Sequence, residues 1–518
     1  MTTCFQFHIW LTRKTFLLRS LLAAVIFSGV AASADVAEQI GLTALRRERP
    51  SVLGTGVPVA QPEGSSNGSD WEVDPAANPS VTYTWTSSSG TATNYPNSVG
   101  VFSLHAFDVG LDFYGSGIGV SPGVPHVDNY EAGYFIENIV VPGLPFLGLV
   151  VNQSFISPEV NFDSSYDAYA AAHNVLFVSG MNNVPDTPIS PGSCYNGMGI
   201  GIFSTNAMSS VGPTSDGRAK PDLVAPNSCC SSFTTPLVSG AAALLWQAGG
   251  ENDGGANTAA IATNSVTVKA LLLNGAVKMT NWTNGIRRPL DARYGAGVLN
   301  IYNSDLQLRG GRRTAIATNS TSPGAHPPTG DTANIASLRG WDYSGIQSTV
   351  PNDRVAHYYF NLPTNSGAFS VTATLVWKKS AGPLANLDLF LYNTTNNALV
   401  ISSTSTVDNV EHIFVPKLAA GRYDLQVLKH GGVGQSGSEN YALAFDFSPV
   451  TLSITRRGTN AIVAWPASPA GFTLQAAPSL NTPIAWQDLS IESMLSNAMN
   501  TTTVPLSASM QFFRLFRP

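Results

Sequence analysis

The sequence has few charged residues and no concentration of one charge sign. Only 12% of its 518 residues are Asp, Glu, Lys or Arg, and the formal net charge is −6. The charged share is about half of the roughly 25% found in soluble domains. No basic tract is present that could follow a phosphate backbone, which argues against nucleic acid as a partner.

Long hydrophobic runs are scarce, and the one that stands out lies near the start of the chain. The segment LLAAVIFSGVAASA follows three basic residues at positions 13, 14 and 19 and ends in the tripeptide Ala-Ser-Ala. It is shorter than the roughly 20 apolar residues of a membrane-spanning helix. A basic flank, a short apolar run and an A-x-A site are typical of a secretory signal peptide. We therefore expect residues 1–34 to be removed, and a secreted or cell-surface protein without a membrane span.

Cysteine is also rare. Cys4 lies in the predicted signal peptide, which leaves Cys194, Cys229 and Cys230. Adjacent cysteines rarely pair with each other, so a disulfide formed in an oxidising compartment would join Cys194 to Cys229 or to Cys230. Three buried thiols are the alternative.

The first large part of the chain alternates buried runs with helical patterns. NIVVPGLPFLGLVVNQSF and HNVLFVSG are typical of buried strands, whereas YDAYAAAH, TTPLVSGAAALLWQA and TVKALLLNGAVKM are typical of helices. Buried strands separated by helices predict a parallel α/β sheet. We assign residues 35–310 to this domain.

The sequence pattern changes after a Pro-, Ser-, Thr- and Gly-rich linker at residues 311–340. Short strands then recur without helices between them: AHYYFNL, FSVTATLVW, LDLFLYN, EHIFVP, RYDLQVL and NYALAFDF. This pattern predicts an antiparallel β-sandwich at residues 341–449. AIVAWPA, GFTLQAA and MQFFRLF predict a small β-rich module at residues 450–518, which could attach the protein to a cell surface.

The segment CCSSFTTPLVSGAAALLWQ passes abruptly from polar residues to a small, apolar helix. A serine at a helix N-terminus lies near unpaired backbone N–H groups and the positive end of the helix dipole, which suits a nucleophile. Ser232 fits that position, and Pro236 stands in the first turn, where its missing N–H does no harm. Taken alone, the pattern fits a capped buried helix equally well.

SSFTTPLVSGAAALL, together with the upstream DGRAKPDLVAPN, resembles the serine motif of the subtilisin-like serine proteases, the subtilase family. The resemblance covers roughly residues 50–305 and places Ser232 at the nucleophile. It implies a subtilisin-like parallel sheet flanked by helices. It also implies a serine endopeptidase that acts on polypeptide substrates through an acyl-enzyme intermediate. The later strand pattern resembles the β-sandwich that follows the catalytic domain in several bacterial members.

The same resemblance supplies a general base. SLHAFDVGLDFYGSGIGVSPGVPHV resembles the family's histidine motif, in which His105 would accept the serine proton as a neutral imidazole. His126 and His173 match that motif less well.

An acidic residue should orient His105 and stabilise its charged form. GTGVPVAQPEG resembles the strand that ends in the family's aspartate, and Glu63 stands at that position. Asp70 and Asp74, in the polar loop that follows, are the alternatives.

Two further segments resemble the family's substrate-binding elements. VLFVSGMNN resembles the strand end that carries the oxyanion-hole asparagine, which would be Asn182, with Asn183 as the alternative. VVNQSFI resembles the strand whose backbone pairs with an extended substrate, with Ser154 and Phe155 on the substrate side.

Several residues depart from the family pattern, among them Cys230, Ser231 and Thr234 near the nucleophile and Phe107 and Asp108 beside the histidine. They motivate a second hypothesis, a catalytically silent exported binding or scaffold protein on the same fold. The enzyme hypothesis requires His105 to lie within hydrogen-bond distance of both Ser232 and Glu63, and a large separation would contradict it. A third hypothesis, the related acid-acting family with a Glu-Asp-Ser triad, is disfavoured by the histidine motif.

Acyl transfer of this kind needs no organic or redox cofactor, and the sequence predicts no catalytic metal. Structural calcium stays open, with Asp388 and Asp408 as candidate ligands, although no dense ligand loop surrounds them.

Overall fold

The computed structural model describes residues 36–518 apart from residues 66, 159, 323–334, 365–367, 467–471, 490, 492, 497–498, 507–510 and 517–518. The predicted signal peptide and much of the predicted linker therefore lie outside the described residues. No helix in the described part of the chain combines the length and the apolar character needed to cross a membrane.

The first part of the chain is built on one large sheet. Its strands are β1 (Val59–Glu63), β2 (Asp70–Glu72), β3 (Thr82–Ser87), β4 (Gly90–Ala92), β5 (Val101–Phe102), β6 (His126–Glu131), β7 (Val150–Gln153), β8 (Leu176–Gly180), β9 (Met198–Phe203) and β10 (Leu223–Pro226). Eight strands form the sheet in the order β10-β9-β8-β7-β1-β6-β3-β4, parallel except for the edge hairpin of β3 and β4. The small strands β2 and β5 pair separately. This sheet is the predicted subtilisin-like parallel sheet, and the prediction is confirmed.

Helices cover the sheet. They are α1 (Leu42–Glu48), α2 (Leu104–Tyr114), α3 (Ala132–Phe135), α4 (Asp163–Ala172), α5 (Thr235–Gly250), α6 (Ala259–Ala262), α7 (Ser265–Gly275) and α8 (Ile301–Arg309). Helix α5 is buried over nearly its whole length, as its small residues predict. A Cβ added to Gly240 of α5 would lie 2.4 Å from the Cβ of Val120, so only glycine permits this close approach. The tight packing holds α2 and α5 together, and these helices border the site described below.

One predicted strand is only partly formed. Of NIVVPGLPFLGLVVNQSF, only Val150–Gln153 is a strand, and its first residues belong to the π-helical turn Ile136–Val140. Pro142 and Pro145 lie between them and lack the N–H donor that a sheet ladder requires.

The β-sandwich follows as two antiparallel sheets. Its strands are β11 (Ile316–Thr318), β12 (Arg339–Ser348), β13 (Arg354–Leu362), β14 (Phe369–Trp377), β15 (Leu387–Asn393), β16 (Ala398–Ser403), β17 (Val410–Leu418), β18 (Gly421–Lys429) and β19 (Gly437–Pro449). The orders are β11-β13-β18-β15-β16 and β12-β19-β14-β17, and a common apolar core joins the sheets. All six predicted strands are present. Strands β11, β12 and β16 were not predicted. Strand β11 lies in the segment assigned to the linker, and the glycines and polar residues of β12 hide the alternation of a strand.

The chain ends in a smaller β-rich unit. Its strands are β20 (Ser453–Arg457), β21 (Asn460–Pro466), β22 (Thr473–Ala477), β23 (Gln487–Asp488), β24 (Met494–Ser496), β25 (Met499–Pro505) and β26 (Phe512–Phe516). They form two antiparallel sheets, β20-β21-β25-β24 and β23-β22-β26, around Val463, Trp465 and Leu474. The predicted small β-rich tail is therefore confirmed as architecture.

Helices α7 and α8 of the first part pack against the sandwich. The Asn274 side chain of α7 accepts hydrogen bonds from Thr372 and Thr374 of β14, at 3.0 and 2.9 Å. Asp408 accepts from the backbone N–H of Ala219 at 2.7 Å, and so holds a loop of the first part.

The two candidate calcium ligands are engaged in protein contacts. Asp408 also accepts from Ser405 Oγ at 2.6 Å, and Asp388 Oδ2 lies 3.0 Å from His430 Nε2. Among the described residues no group of three or more His, Cys, Asp or Glu side chains is arranged to hold a metal ion.

The predicted disulfide is not formed. Cys194, Cys229 and Cys230 are free thiols. Cys194 is buried in the apolar cluster around Tyr166 and Phe177, whereas Cys229 is exposed and Cys230 is half-buried. The alternative of three buried thiols therefore describes Cys194 alone.

Lys278 is an unusual feature of the junction with the sandwich. Its ammonium group is buried, donates to the Ala276 carbonyl at 3.1 Å and lies over the rings of Trp282 and Phe414. Burial lowers the pKa of Lys278 to about 7. Between this value and the ordinary 10.5, the unfolded chain therefore binds more protons than the folded one. The free energy of unfolding consequently decreases as the pH falls through that range.

We expect Lys278→Met to stabilise the protein by about 2 kcal/mol near neutral pH, because it removes the desolvated cation at some loss of hydrogen bonding and ring contact. Thermal unfolding at about pH 7 and about pH 10 measures this, and the gain should shrink at the higher pH. Lys417→Met is the control, since Lys417 lies exposed on β17. A Lys278→Met protein no more stable than the wild type near neutral pH would contradict the expectation.

Candidate active site

The candidate site lies at the carboxyl ends of central strands of the large sheet. Glu63 is the last residue of β1, and its side chain is fully buried. Ser154 follows β7, while Asn182 and Asn183 follow β8 two and three residues after its end. Because parallel strands end at the same edge of the sheet, these residues converge there, where open α/β sheets bind their ligands.

His105 stands in the first turn of α2. The helix begins after Ser103, whose Oγ accepts the backbone N–H of Ala106 at 3.2 Å and caps it. His105 Nδ1 lies 2.9 Å from Glu63 Oε2. This contact leaves the opposite ring nitrogen, Nε2, to exchange a proton with a substrate or a nucleophile.

The carboxylate also tunes the histidine. Burial lowers the pKa of His105, but the hydrogen bond and charge of Glu63, with a further contribution from the charge of Asp108, outweigh burial. The pKa of His105 therefore lies above its ordinary value of 6.5. A base of this kind is neutral in mildly alkaline water and is charged at mildly acidic pH.

Ser232 lies in the short 3₁₀ helix Ser231–Phe233, which leads directly into α5. Its Oγ donates to the Ser154 carbonyl at 3.5 Å, and Ser154 Oγ donates to the Ser232 carbonyl at 2.9 Å. The His105 ring lies 6.0 Å, between centroids, from the ring of Phe233. No hydrogen bond joins the two described side chains of Ser232 and His105, so the hydrogen-bond criterion is met for Glu63 but not for Ser232.

The two asparagines after β8 have different contacts. Asn182 Nδ2 donates to Asp186 Oδ2 at 2.6 Å. Asn183 Oδ1 accepts the backbone N–H of Ser231 at 2.7 Å, one residue before Ser232. The side chain beside the serine loop is therefore that of Asn183, the alternative residue, because Asp186 holds the amide of Asn182.

The two predicted substrate-side residues differ in their surroundings. Ser154 is buried and touches Ser232, as described above. Phe155 is partly buried against the cluster that contains Tyr130 and Phe135. The Ser154 carbonyl is thus the group of this pair nearest the serine hydroxyl.

The alternative triad residues lie in local contacts of their own. Asp70 accepts from Ser65 Oγ at 2.7 Å, and Asp74 caps the 3₁₀ helix that follows it. His126 pairs with Asp128 at 2.9 Å, and His173 stacks on a tyrosine. The geometry therefore favours Glu63 and His105 over these residues.

Comparison with known proteins identifies the domain. The model of the subtilase family matches residues 150–297. Residues 150–297 of the chain therefore resemble the subtilase family. The matched range contains Ser232, Ser154 and both asparagines, whereas Glu63 and His105 precede it. This match supports a subtilisin-like, serine-type peptidase.

Similar solved structures share low identity with this chain. The self-cleaved protease domain of PatA is 20% identical with a TM-score of 0.34, over 49% of this chain and 97% of that chain. A lanthipeptide protease is 16% identical with a TM-score of 0.35, over 52% and 92%. Fervidolysin from Fervidobacterium pennivorans, a keratinolytic enzyme related to subtilisin, is 11% identical with a TM-score of 0.34, over 90% and 77%. No curated protein matches the chain.

Two buried residues of the candidate site were not predicted from the sequence. Gln61 Nε2 donates to Glu63 Oε1 at 3.0 Å, and the Tyr114 hydroxyl donates to Gln61 Oε1 at 2.5 Å. Gln61 stands two residues before Glu63, so both side chains lie on the same face of β1. That spacing was visible in the sequence, whereas the approach of Tyr114 from α2 was not.

Proposed function

We propose that the protein is a serine endopeptidase that hydrolyses peptide bonds with a triad of Glu63, His105 and Ser232. The observation that carries the proposal is the 2.9 Å contact between His105 Nδ1 and the buried Glu63 carboxylate, beside the serine that leads into α5. A buried carboxylate paired with a half-exposed imidazole is the arrangement that a general base requires.

In the proposed reaction, the Ser232 hydroxyl rotates from the Ser154 carbonyl to His105 Nε2 and attacks the peptide carbonyl carbon. His105 accepts the hydroxyl proton and then gives it to the leaving amine, which departs as the acyl-enzyme forms. Water, deprotonated by His105, attacks the acyl-enzyme, and the proton returns to Ser232. Glu63 stabilises the imidazolium in both halves of the cycle.

The oxyanion would be stabilised by donors at the serine loop. The backbone N–H of Ser232 stands at the start of a helix, where donors lack intrahelical partners. Asn183 Oδ1 accepts the backbone N–H of Ser231, which holds the amide group of Asn183 next to the serine loop. We propose Asn183 as the side-chain donor, and each such donor contributes roughly 3–4 kcal/mol to lowering the barrier.

The polypeptide substrate and the location of the protein belong to the same proposal. An extended peptide would lie along the segment after β7, where Ser154 and Phe155 stand. We propose that residues 1–34 direct export, and that the β-rich unit at residues 450–518 holds the protein at a cell surface.

The proposal is tested by labelling with a fluorophosphonate probe, which reacts with an activated serine. The wild type should be labelled, and Ser232→Ala should not, because the probe needs the nucleophile and its base. Ser228→Ala is the control, since Ser228 is an exposed serine of the same loop, and its labelling should equal that of the wild type. A folded wild type without labelling would support the silent binding or scaffold protein instead.

A further inference from the structure

We infer that Gln61 and Tyr114 are positioning residues that hold the Glu63 carboxylate in its working orientation. The inference rests on the proposed triad and adds to it a buried relay between β1 and α2. Neither residue contacts a substrate, since both side chains are buried behind Glu63.

Both carboxylate oxygens of Glu63 and the whole side-chain amide of Gln61 form hydrogen bonds in the relay. Glu63 Oε2 accepts from His105, and Glu63 Oε1 accepts from Gln61 Nε2. The same Nε2 also donates to the Ala106 carbonyl at 2.8 Å, while Gln61 Oε1 accepts from the Tyr114 hydroxyl. Gln61 therefore uses both of its N–H groups and its oxygen, which fixes its amide in one orientation.

A glutamate needs this support more than an aspartate does. Its extra methylene adds a rotatable bond, so the carboxylate must be restrained to keep Oε2 opposite the imidazole. Without Gln61, Glu63 Oε1 would also be a buried acceptor without a partner, at a cost of roughly 1–3 kcal/mol. The relay thus restrains the extra rotatable bond of Glu63 and gives its Oε1 a hydrogen-bond partner.

The relay also fixes the helix that carries the base. Ala106 lies next to His105 in the first turn of α2, and Tyr114 is the last residue of that helix. Gln61 bonds both, so β1 and α2 are tied together at both ends of the helix. The distance between Glu63 and His105 is therefore set by Gln61 as well as by the triad contact.

The experiment compares Gln61→Met and Tyr114→Phe with the wild type in a peptidase assay across pH. Gln61→Met keeps the length of the side chain but removes its donors. We expect kcat to fall about 10–100-fold with KM unchanged, because a mispositioned catalytic group costs about this much. The acidic limb of the pH profile should move to lower pH, since a displaced carboxylate raises the pKa of His105 less. Tyr114→Phe should act in the same direction with a smaller effect.

A matched pair elsewhere in the sheet provides the control. Gln153 of β7 is fully buried and donates to the Tyr166 hydroxyl at 2.6 Å, away from the triad carboxylate. Gln153→Met and Tyr166→Phe should lower thermal stability while leaving the acidic limb in place. An acidic limb unmoved by Gln61→Met would overturn the inference.

A second readout covers the case in which Gln61→Met folds poorly or the protein is inactive. The His105 titration can be followed by NMR of the histidine-labelled full chain, with His105→Gln for assignment and Tyr114→Phe as the milder variant. The pKa of His105 should be lower in Tyr114→Phe than in the wild type, and an equal value would overturn the inference. An inactive wild type with the shifted titration would refute the proposed function while supporting the relay.

Discussion

Glu63→Gln should lower kcat/KM about 10⁴-fold while leaving the fold intact. The amide has nearly the shape of the carboxylate, but its N–H can donate to His105 Nδ1. That donation favours the tautomer with the proton on Nε2, which cannot accept the proton of Ser232. The amide also lacks the charge that stabilises the imidazolium.

The pH profile gives the same prediction a second readout. Activity requires neutral His105, so kcat/KM falls as the pH drops through the pKa of this residue. Burial lowers that pKa, and the contributions of Glu63 raise it above 6.5. As the pH falls, the residual activity of Glu63→Gln should therefore begin to decline at a lower pH than the activity of the wild type does.

The control for Glu63→Gln is Glu72→Gln. Glu72 is a buried glutamate of β2, and burial raises its pKa, but it makes no contact with His105. Its replacement should leave kcat/KM within about threefold of the wild type. A Glu63→Gln enzyme within about tenfold of the wild type would show that another group orients His105.

Asn183→Ala should lower kcat by about 10²–10³-fold with little change in KM. An oxyanion-hole donor acts mainly on the charge that develops in the transition state, and removing one costs about this much. Asn183 is the residue of choice because its Oδ1 is bonded to Ser231 N, beside the nucleophile.

The adjacent asparagine provides the comparison. Asn182 donates to Asp186, so Asn182→Ala should affect the stability of that loop more than the rate. Steady-state kinetics of both variants decides between them. The reverse result, a large loss for Asn182→Ala and a small one for Asn183→Ala, would place the donor at the residue indicated by the family motif.

The sequence predicted helices α4, α5 and α7 and six strands of the sandwich. Helix α5 is readable because its small and apolar residues are continuous, and a segment of this kind is stable only when buried. The run before β7 was less predictable, because its hydrophobic residues continue through two prolines that interrupt the strand. Strand β12 was hidden because glycine and polar residues interrupt its apolar alternation.

In the candidate site, residues that belong to a continuous sequence motif were easier to predict than contacts between distant parts of the chain. Ser232 was identified from one continuous motif, and Glu63 and His105 from two shorter ones. The role of Asn183 could not be separated from that of its neighbour, because the two residues are adjacent and only the fold decides which one turns toward Ser231. The limits of the domains and the signal peptide stay predictions.

The sequence by itself determined the order of the parallel sheet, the sandwich and the β-rich tail. Each of these parts can be predicted from the local spacing of apolar residues and from the turn residues between its elements. Its resemblance to the subtilases also supplied Ser232, His105 and Glu63 as candidate residues for acyl transfer, and these stay predictions. Only the tertiary structure decided that Glu63, rather than Asp70 or Asp74, meets His105, that Gln61 contacts both Tyr114 and Glu63, and that the cysteines remain apart. Those outcomes depend on contacts between β1, α2 and α5, whose geometry is set by packing over the whole domain and cannot be read from neighbouring residues.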